Sequence, residues 1–486
     1  MEEQWHHQYF FSPGGASIES NPDEYAANPR FQELQSELRS LLFATAQSNT
    51  PTRQLTPELL SETQKSGTSP GHQRLLVHLQ ATSCQIPLPQ IVTYLNSWMQ
   101  ECAPWLDMFD QRRTFGIQVP LLAQSSPTVL FALLALGARQ VERAGTAMGA
   151  SQDSLELYSL AIESLTPALE RKDETVLVTA CILCVLEMFS ASPRDWRRHI
   201  EGCAALFEAS GVNGFSGGLL QAVFWCYARM DLCGAMMSGC TEGTVMPIER
   251  WVLSRDDSSL DEMLVDEMFI KAGTEDPDMH ANYAVYLAAR TCGLLSKRTR
   301  CVELGEETGC HDDAYDLQWQ SLWCQLQEWE QRRPSAVRPV KVVPEVPDFM
   351  FPKLFYGHWA AISSNQLYYS SCLMMLDLVP QGCSLEGDKN IHSRLWHARQ
   401  IVGISLANAH RGCLNNAIQP LWLAGQLFTH RQEHETVIQL LNCIEAASGW
   451  ASRWRIKDLE DLWGYPRGTF SHGPAISTSM ISNRDH

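Results

Sequence analysis

One serine lies in a pattern that can perform nucleophilic chemistry. Residues 214–218 read Gly-Phe-Ser-Gly-Gly, which satisfies the motif G-x-S-x-G around Ser216. In α/β hydrolases this motif places the serine on a strained turn between a strand and a helix. Here the preceding segment, residues 196–209, has the apolar spacing of a helix, and glycines commonly end helices. We therefore predict an ordinary loop between two helices and assign no catalytic residue.

Two histidines have the spacing of a zinc ligand pair. His430 and His434 flank Glu433 in the pattern H-x-x-E-H, in which both histidines share a helix face and bind zinc. A zinc peptidase also needs a third ligand and an apolar helix around the site. The neighbouring side chains are polar, so the sequence favours a solvated helix junction and no metal.

The 16 cysteines offer two further spacings. Cys181 and Cys184 form a C-x-x-C pair, and Cys226, Cys233 and Cys240 recur at every seventh residue. Thiols in helices flanked by Ile, Leu and Val pack as small hydrophobic groups, and a straight helix has no turn that would bring two ligands together. We expect reduced thiols in the core, with no metal and no cofactor in this chain.

The basic residues are few and scattered. The chain has 37 Lys and Arg against 55 Asp and Glu, a net charge of −18. Its densest basic cluster is Arg197, Arg198 and His199, and Glu201 follows directly. Because affinity for DNA depends on neutralising phosphates along a basic face, we predict no direct DNA binding by this chain alone.

The elements that must position these residues are nearly all helical. Helical apolar spacing recurs from residue 73 to residue 465, and the one β-branched run, residues 340–346, is interrupted by proline. The longest apolar stretches, residues 129–138 and 176–186, are shorter than the roughly 18–20 residues of a membrane span. We predict an all-α protein with a single large multi-helix domain over 73–465, neither a signal peptide nor a membrane span, and reduced thiols inside the cell.

The two ends of the chain differ from this domain. Residues 1–72 form an acidic leader with 9 acidic and 4 basic residues, which we expect to be largely disordered apart from one helix over 31–47. Asn28 and Pro29 provide the start signal of that helix. Residues 466–486 read as a disordered tail.

Several segments together resemble the regulatory domain of fungal-specific transcription factors. The likeness is to zinc-cluster regulators of the type represented by the acriflavine sensitivity control protein, and it extends over about residues 31–465. The segments that carry it are residues 104–110, 134–140, 196–207, 214–234, 365–368, 449–451 and 462–464.

The resemblance implies a nuclear regulator, present also in the cytoplasm, that is not an enzyme. It implies the transcriptional machinery or a DNA-binding partner as the protein's contacts, and it is compatible with a homodimer and a small-molecule effector. Family members are expected to carry six zinc-binding cysteines before this domain, but the first cysteine here is Cys84. Zinc is therefore expected only if a cluster precedes this sequence. A truncated gene model and a regulator without its own DNA-binding module both explain the difference. A helical enzyme and a scaffold with no transcriptional role remain alternatives.

Overall fold

The computed structural model describes most of the chain. The described residues are 26–47, 86–144, 152–171, 173, 175–190, 193–239, 241–252, 262–306, 312–345, 350–381, 383, 385 and 389–470. The expected disorder of the leader over residues 1–25 and 48–72 and of the tail over 471–486 lies outside the described residues, as does Cys240.

Helices account for most of this structure, with a single short ribbon of two strands among the described residues. The helices are α1 (Pro29–Gln47), α2 (Leu88–Ser97), α3 (Ala103–Leu106), α4 (Thr114–Ala123), α5 (Pro127–Arg143), α6 (Asp153–Arg171), α7 (Thr175–Ser190), α8 (Pro193–Ser210), α9 (Gly218–Met237), α10 (Glu262–Glu275), α11 (Pro277–Leu304), α12 (Asp312–Gln331), α13 (Trp359–Met375), α14 (Arg394–Ala407), α15 (Ile418–Gly425), α16 (Arg431–Ser448) and α17 (Arg453–Leu462). Strands β1 (Lys341–Val343) and β2 (Lys353–Phe355) pair antiparallel, with Val342 opposite Leu354. The all-α prediction is confirmed.

Helix α5 is the centre of the N-terminal half. It starts at Pro127 after the Ser126 cap, and all residues from Thr128 to Gln140 are buried. A helix that is apolar on every side must be surrounded by other elements, and α5 packs against α2, α6 and α7. Helix α7 is buried in the same way and packs against α8 and α9.

The C-terminal half is arranged around the long helix α11. The helix is capped at its start by Asp276 and ends at Leu304, and the following Gly305 has a φ of 66°, a left-handed conformation that suits glycine. It packs against α10, α12 and α13, and α13 packs in turn against α14. Helix α9 contacts both α7 and α11, so it joins the two halves into one core.

The described segments nearest the two ends of the chain, residues 26–47 and 466–470, pack more closely than the sequence indicated. We placed the helix of residues 31–47 in a leader outside the domain, but α1 buries its apolar stripe (Phe31, Leu34, Leu38 and Leu42) and packs against α6 and α8. Residues 466–470, which we placed in the disordered tail, hold Phe470 against Tyr465 with 5.1 Å between ring centroids. Within the described residues, no helix combines the length and the apolar character that crossing a bilayer requires.

Candidate functional site

Ser216 lies on a loop between two helices, as the sequence predicted. The loop joins the end of α8 to the start of α9, and its glycines at 217 and 218 have φ values of 78° and 55°. The Ser216 hydroxyl is exposed and accepts a hydrogen bond from the backbone N–H of Asn213 at 2.9 Å. A helix precedes the serine in the place where a nucleophile elbow needs a strand, so the loop lacks the geometry of that motif.

Both ring nitrogens of His434 contact other residues of the same chain. Nε2 lies 2.9 Å from the carbonyl oxygen of Phe428, and Nδ1 lies 3.2 Å from the hydroxyl of Tyr465. The ring also stacks on Trp463 with 3.8 Å between ring centroids. His430 is the exposed residue before α16, where its backbone N–H donates to Glu433. The expected helix junction is present, but His434 is buried, where we had expected it to be solvated.

The two thiols of the C-x-x-C pair contact different helices. Cys181 donates a hydrogen bond to the carbonyl oxygen of Val223 in α9 at 3.8 Å, whereas the sulfur of Cys184 lies within 4.8 Å of that of Cys203 in α8. All four thiols are buried. Cys233 is half-buried against the sulfur of Met237 at 3.8 Å. The C-x-x-C spacing therefore does not bring its own two sulfurs to one point.

The basic cluster at the start of α8 separates into different environments. Arg197 forms an ion pair with Glu242 at 3.1 Å and donates to the carbonyl oxygen of Gly243. Arg198 is exposed, whereas His199 is only 2% exposed. These three residues therefore do not form a continuous basic face.

The side chain of His199 points into the core, where it lies beside two cysteines and forms a group of three potential metal ligands. One ring nitrogen of His199 and the sulfurs of Cys184 and Cys203 all lie within 4.8 Å of one another. Cys184 is on α7, and the other two residues are one turn apart on α8. We call these three residues the thiol–imidazole cluster. It is a chemical grouping that can hold a proton or a soft metal ion.

Glu187 connects the thiol–imidazole cluster to two further helices. Its Oε1 atom lies 2.8 Å from Nδ1 of His199 and accepts a hydrogen bond from the hydroxyl of Tyr158 at 2.5 Å. Its Oε2 atom accepts a hydrogen bond from Gln35 of α1 at 2.9 Å. The side chain of Glu187 is itself 1% exposed. One buried carboxylate thus joins α1, α6, α7 and α8.

The cluster has unusual proton affinities. Burial by itself lowers the pKa of His199, but the negative charges of Glu187 and Cys203 outweigh burial and raise that pKa well above its usual value. The hydrogen bond with Cys184 lowers the pKa of Cys203 to about 6, assisted by His199 and opposed by burial. Burial also raises the pKa of Cys184 well above its usual value. The directions of the His199 and Cys203 shifts both favour movement of a proton from the thiol to the imidazole.

Sequence spacing alone did not bring these three residues together. We had assigned Cys184 and Cys203 to core packing and His199 to a basic cluster. The available signal was spacing: Cys184 and Glu187 are three residues apart, and His199 and Cys203 are four apart, so each pair shares one helix face. Spacing alone does not reveal that the two faces meet.

A surface cleft lies on the same side of α8 as the end of α1. Its volume is about 320 Å³, at the lower end of the range of small-molecule sites. Phe43, Ala205, Val212 and Met246 supply apolar walls, and Glu208 and Arg250 supply opposite charges; these six are among its lining residues.

Comparisons with known proteins agree with one another. Residues 93–464 match the family described as the fungal specific transcription factor domain. The protein named Transcription activator AMTR1, from Alternaria alternata, is 24% identical over 343 residues, covering 60% of this chain and 44% of that protein. The chain therefore spans less than half the length of this relative. The search of solved structures found no significant match.

Proposed function

This chain belongs to the family of fungal-specific transcription factors, and we propose that it regulates transcription through its helical domain. The observation that carries the proposal is the family match, which extends over residues 93–464 and so covers α3 to α17 entirely and the second half of α2. The name of the Alternaria relative, a transcription activator, supports the same function. The resemblance found in the sequence is confirmed at the level of the family.

The proposed mechanism is conformational rather than catalytic. Ser216 and His434 lie in the two motifs that suggested catalysis. In the structure Ser216 forms a hydrogen bond within its loop, and His434 packs against neighbouring side chains and contacts a backbone carbonyl oxygen. A partner or small molecule that binds the domain would instead change which surfaces the helices present. The cleft beside Phe43 and Arg250 has the size and mixed polarity that suit a small effector.

We propose that DNA is contacted by a partner protein or by a protein segment outside these 486 residues. A net charge of −18 disfavours contact with phosphates. We propose that the chain acts in the nucleus with the transcriptional machinery or a DNA-binding partner, as a monomer or a homodimer. In this proposal, zinc binds only to a cysteine cluster that would precede this sequence.

A reporter assay tests the proposed function. The full chain is fused to a heterologous DNA-binding domain, and transcription is measured from a promoter with the matching site. We expect a several-fold change relative to the DNA-binding domain alone, together with nuclear accumulation of a fluorescently tagged chain. An expressed, nuclear fusion that leaves transcription unchanged under all growth conditions tested would contradict the proposal.

A further inference from the structure

We propose that Cys184, His199 and Cys203 form a binding site for one monovalent copper ion, Cu(I). The two sulfurs and one imidazole nitrogen lie within 4.8 Å of one another. Metal–ligand bonds of about 2.0–2.3 Å place three trigonal ligands about 3.5–4.0 Å apart. Small rotations of the side chains are therefore sufficient to bring the three atoms around one ion.

The orientation of His199 favours a metal ligand. Nδ1 lies 2.8 Å from Oε1 of Glu187, and neither ring nitrogen makes a hydrogen bond among the described residues, so we assign Nε2 as the nitrogen that binds the ion. A carboxylate on the second ring nitrogen is the usual arrangement around metal-binding histidines, because it fixes the ring and makes the ligand more basic. Glu187 is therefore a positioning residue for this site.

The type and number of ligands indicate the ion. Thiolates select soft ions, chiefly Cu(I) and zinc. Protein zinc sites are almost always four-coordinate, and the described residues supply a group of three. The cluster is at most 2% exposed, which restricts water as a fourth ligand. Three soft ligands in a dry site suit trigonal Cu(I).

The site lies where a bound ion would stabilise the arrangement of helices. Its ligands join α7 to α8, and Glu187 extends the contact to Tyr158 of α6 and Gln35 of α1. An ion that binds only the folded chain stabilises it in proportion to the logarithm of the ion concentration. We therefore expect Cu(I) to raise the melting temperature of the intact chain.

The test is a Cu(I) titration of the full chain without oxygen, in competition with the chromophoric chelator bathocuproine disulfonate. We expect one ion per chain to be held against the chelator. C184A and C203A should each abolish this binding. C181A is the matched control, because Cys181 is an equally buried thiol one turn away on α7 that contacts Cys226 instead. It should keep the ion, and E187Q should weaken binding about 10–100-fold.

Two further measurements keep the test decisive if a variant fails to fold. X-ray absorption of the copper-loaded wild-type chain should show two sulfur ligands and one nitrogen ligand. The wild-type melting temperature should rise with Cu(I). Copper held equally by folded C184A, coordination by sulfur alone, or no copper held by the wild-type chain would overturn the proposal. Retention of one tetrahedral zinc ion at these residues in preference to copper would overturn the choice of ion.

Discussion

Arg455 shows how this core accommodates a buried cation. Its guanidinium carbon lies 3.5 Å from the ring centroid of Trp422 and 4.0 Å from that of Trp454. Nε and Nη2 both donate to Oε1 of Gln419, at 3.1 and 2.7 Å. A planar guanidinium fits between two rings and can donate in a fork, whereas the lysine ammonium can do neither.

We predict that R455K lowers the free energy of unfolding by about 2–3 kcal/mol, because it loses both stacking and hydrogen bonds. Urea unfolding at neutral pH measures this loss. R453K is the matched control, because Arg453 is two residues away with 83% of its side chain exposed. It should change stability by less than about 0.5 kcal/mol. Equal effects of the two substitutions would show that the stacked geometry has no special value.

Asp107 should make stability depend on pH. Burial raises the pKa of Asp107 to about 7, against hydrogen bonds from the backbone N–H groups of Phe115 and Gly116. Because the pKa is higher in the folded chain than in the unfolded chain, the stabilising contribution is complete below about pH 4. It is lost as the pH rises through about 7, at up to about 1.4 kcal/mol for each pH unit.

The variant D107N cannot ionise at this position. We therefore predict that the free energy of unfolding of D107N minus that of wild type increases between pH 5 and pH 8, because only wild type loses stability over this range. Urea unfolding at each pH unit measures the difference. D461N, at an exposed carboxylate that pairs with Arg467, should run parallel to wild type over this range. A parallel curve for D107N would rule out ionisation of Asp107 as a cause.

The crossing of α2 and α5 depends on a residue without a side chain. A Cβ atom added to Gly137 would lie 2.3 Å from the carbonyl oxygen of Tyr94 and 3.1 Å from its carbonyl carbon. Both obstructing atoms belong to backbone, so relief requires one helix to move away from the other. Trp98, which is fully buried on the continuation of α2, would then lose part of its packing.

We predict that G137A lowers the free energy of unfolding by about 2–3 kcal/mol through this clash. The control is G293A in α11, where an added Cβ atom has nothing within 4 Å. That substitution should be neutral or stabilise by up to about 1 kcal/mol, because alanine is the better helix former. Thermal and urea unfolding of both variants provide the comparison. A loss in G293A matching that in G137A would mean that the helix crossing is not the cause.

Helical spacing predicted the all-α fold because helix formation is local, but the acidic stretch of residues 248–280 did not reveal α10 or the start of α11. The apolar stripe of Phe31, Leu34, Leu38 and Leu42 identified α1, and a helix with such a stripe requires a partner surface. Nothing in the spacing identified α6 and α8 as that surface. The close approach at Gly137 was equally hidden, since it depends on the position of a helix some forty residues earlier in the chain.

The thiol–imidazole cluster also depends on tertiary contacts that local sequence patterns do not reveal. Helical periodicity places His199 and Cys203 on one face, but the sequence around His199 looks basic and exposed because two arginines precede it. The partner that determines its environment is Glu187, on a different helix. Which two helix faces meet is decided by the packing of the complete core, and so this site emerged only from the structure.

Charge governs how the complete chain meets other macromolecules. The net charge of −18 repels a phosphate backbone, and local positive charge is partly neutralised by neighbours, as in the pairing of Arg197 with Glu242. Specific DNA binding draws much of its affinity from several lysine or arginine contacts with phosphates, and Arg197, Arg198 and His199 of α8 do not form a continuous basic face. We therefore propose that the regulator reaches its promoters through another module or partner.

We predict that the 486-residue chain alone shows no sequence-specific DNA binding at physiological salt, and that any complex is weaker than the roughly micromolar range of nonspecific binders. The measurement is a mobility-shift titration against promoter fragments from the gene's own neighbourhood. The chain fused to a heterologous DNA-binding domain, with its matching site, is the positive control for a folded protein. Salt-sensitive, competitor-resistant binding at nanomolar concentration would reveal a DNA-reading surface in the chain itself. In that case our proposal that the helical domain regulates transcription while another module or partner contacts DNA would be wrong.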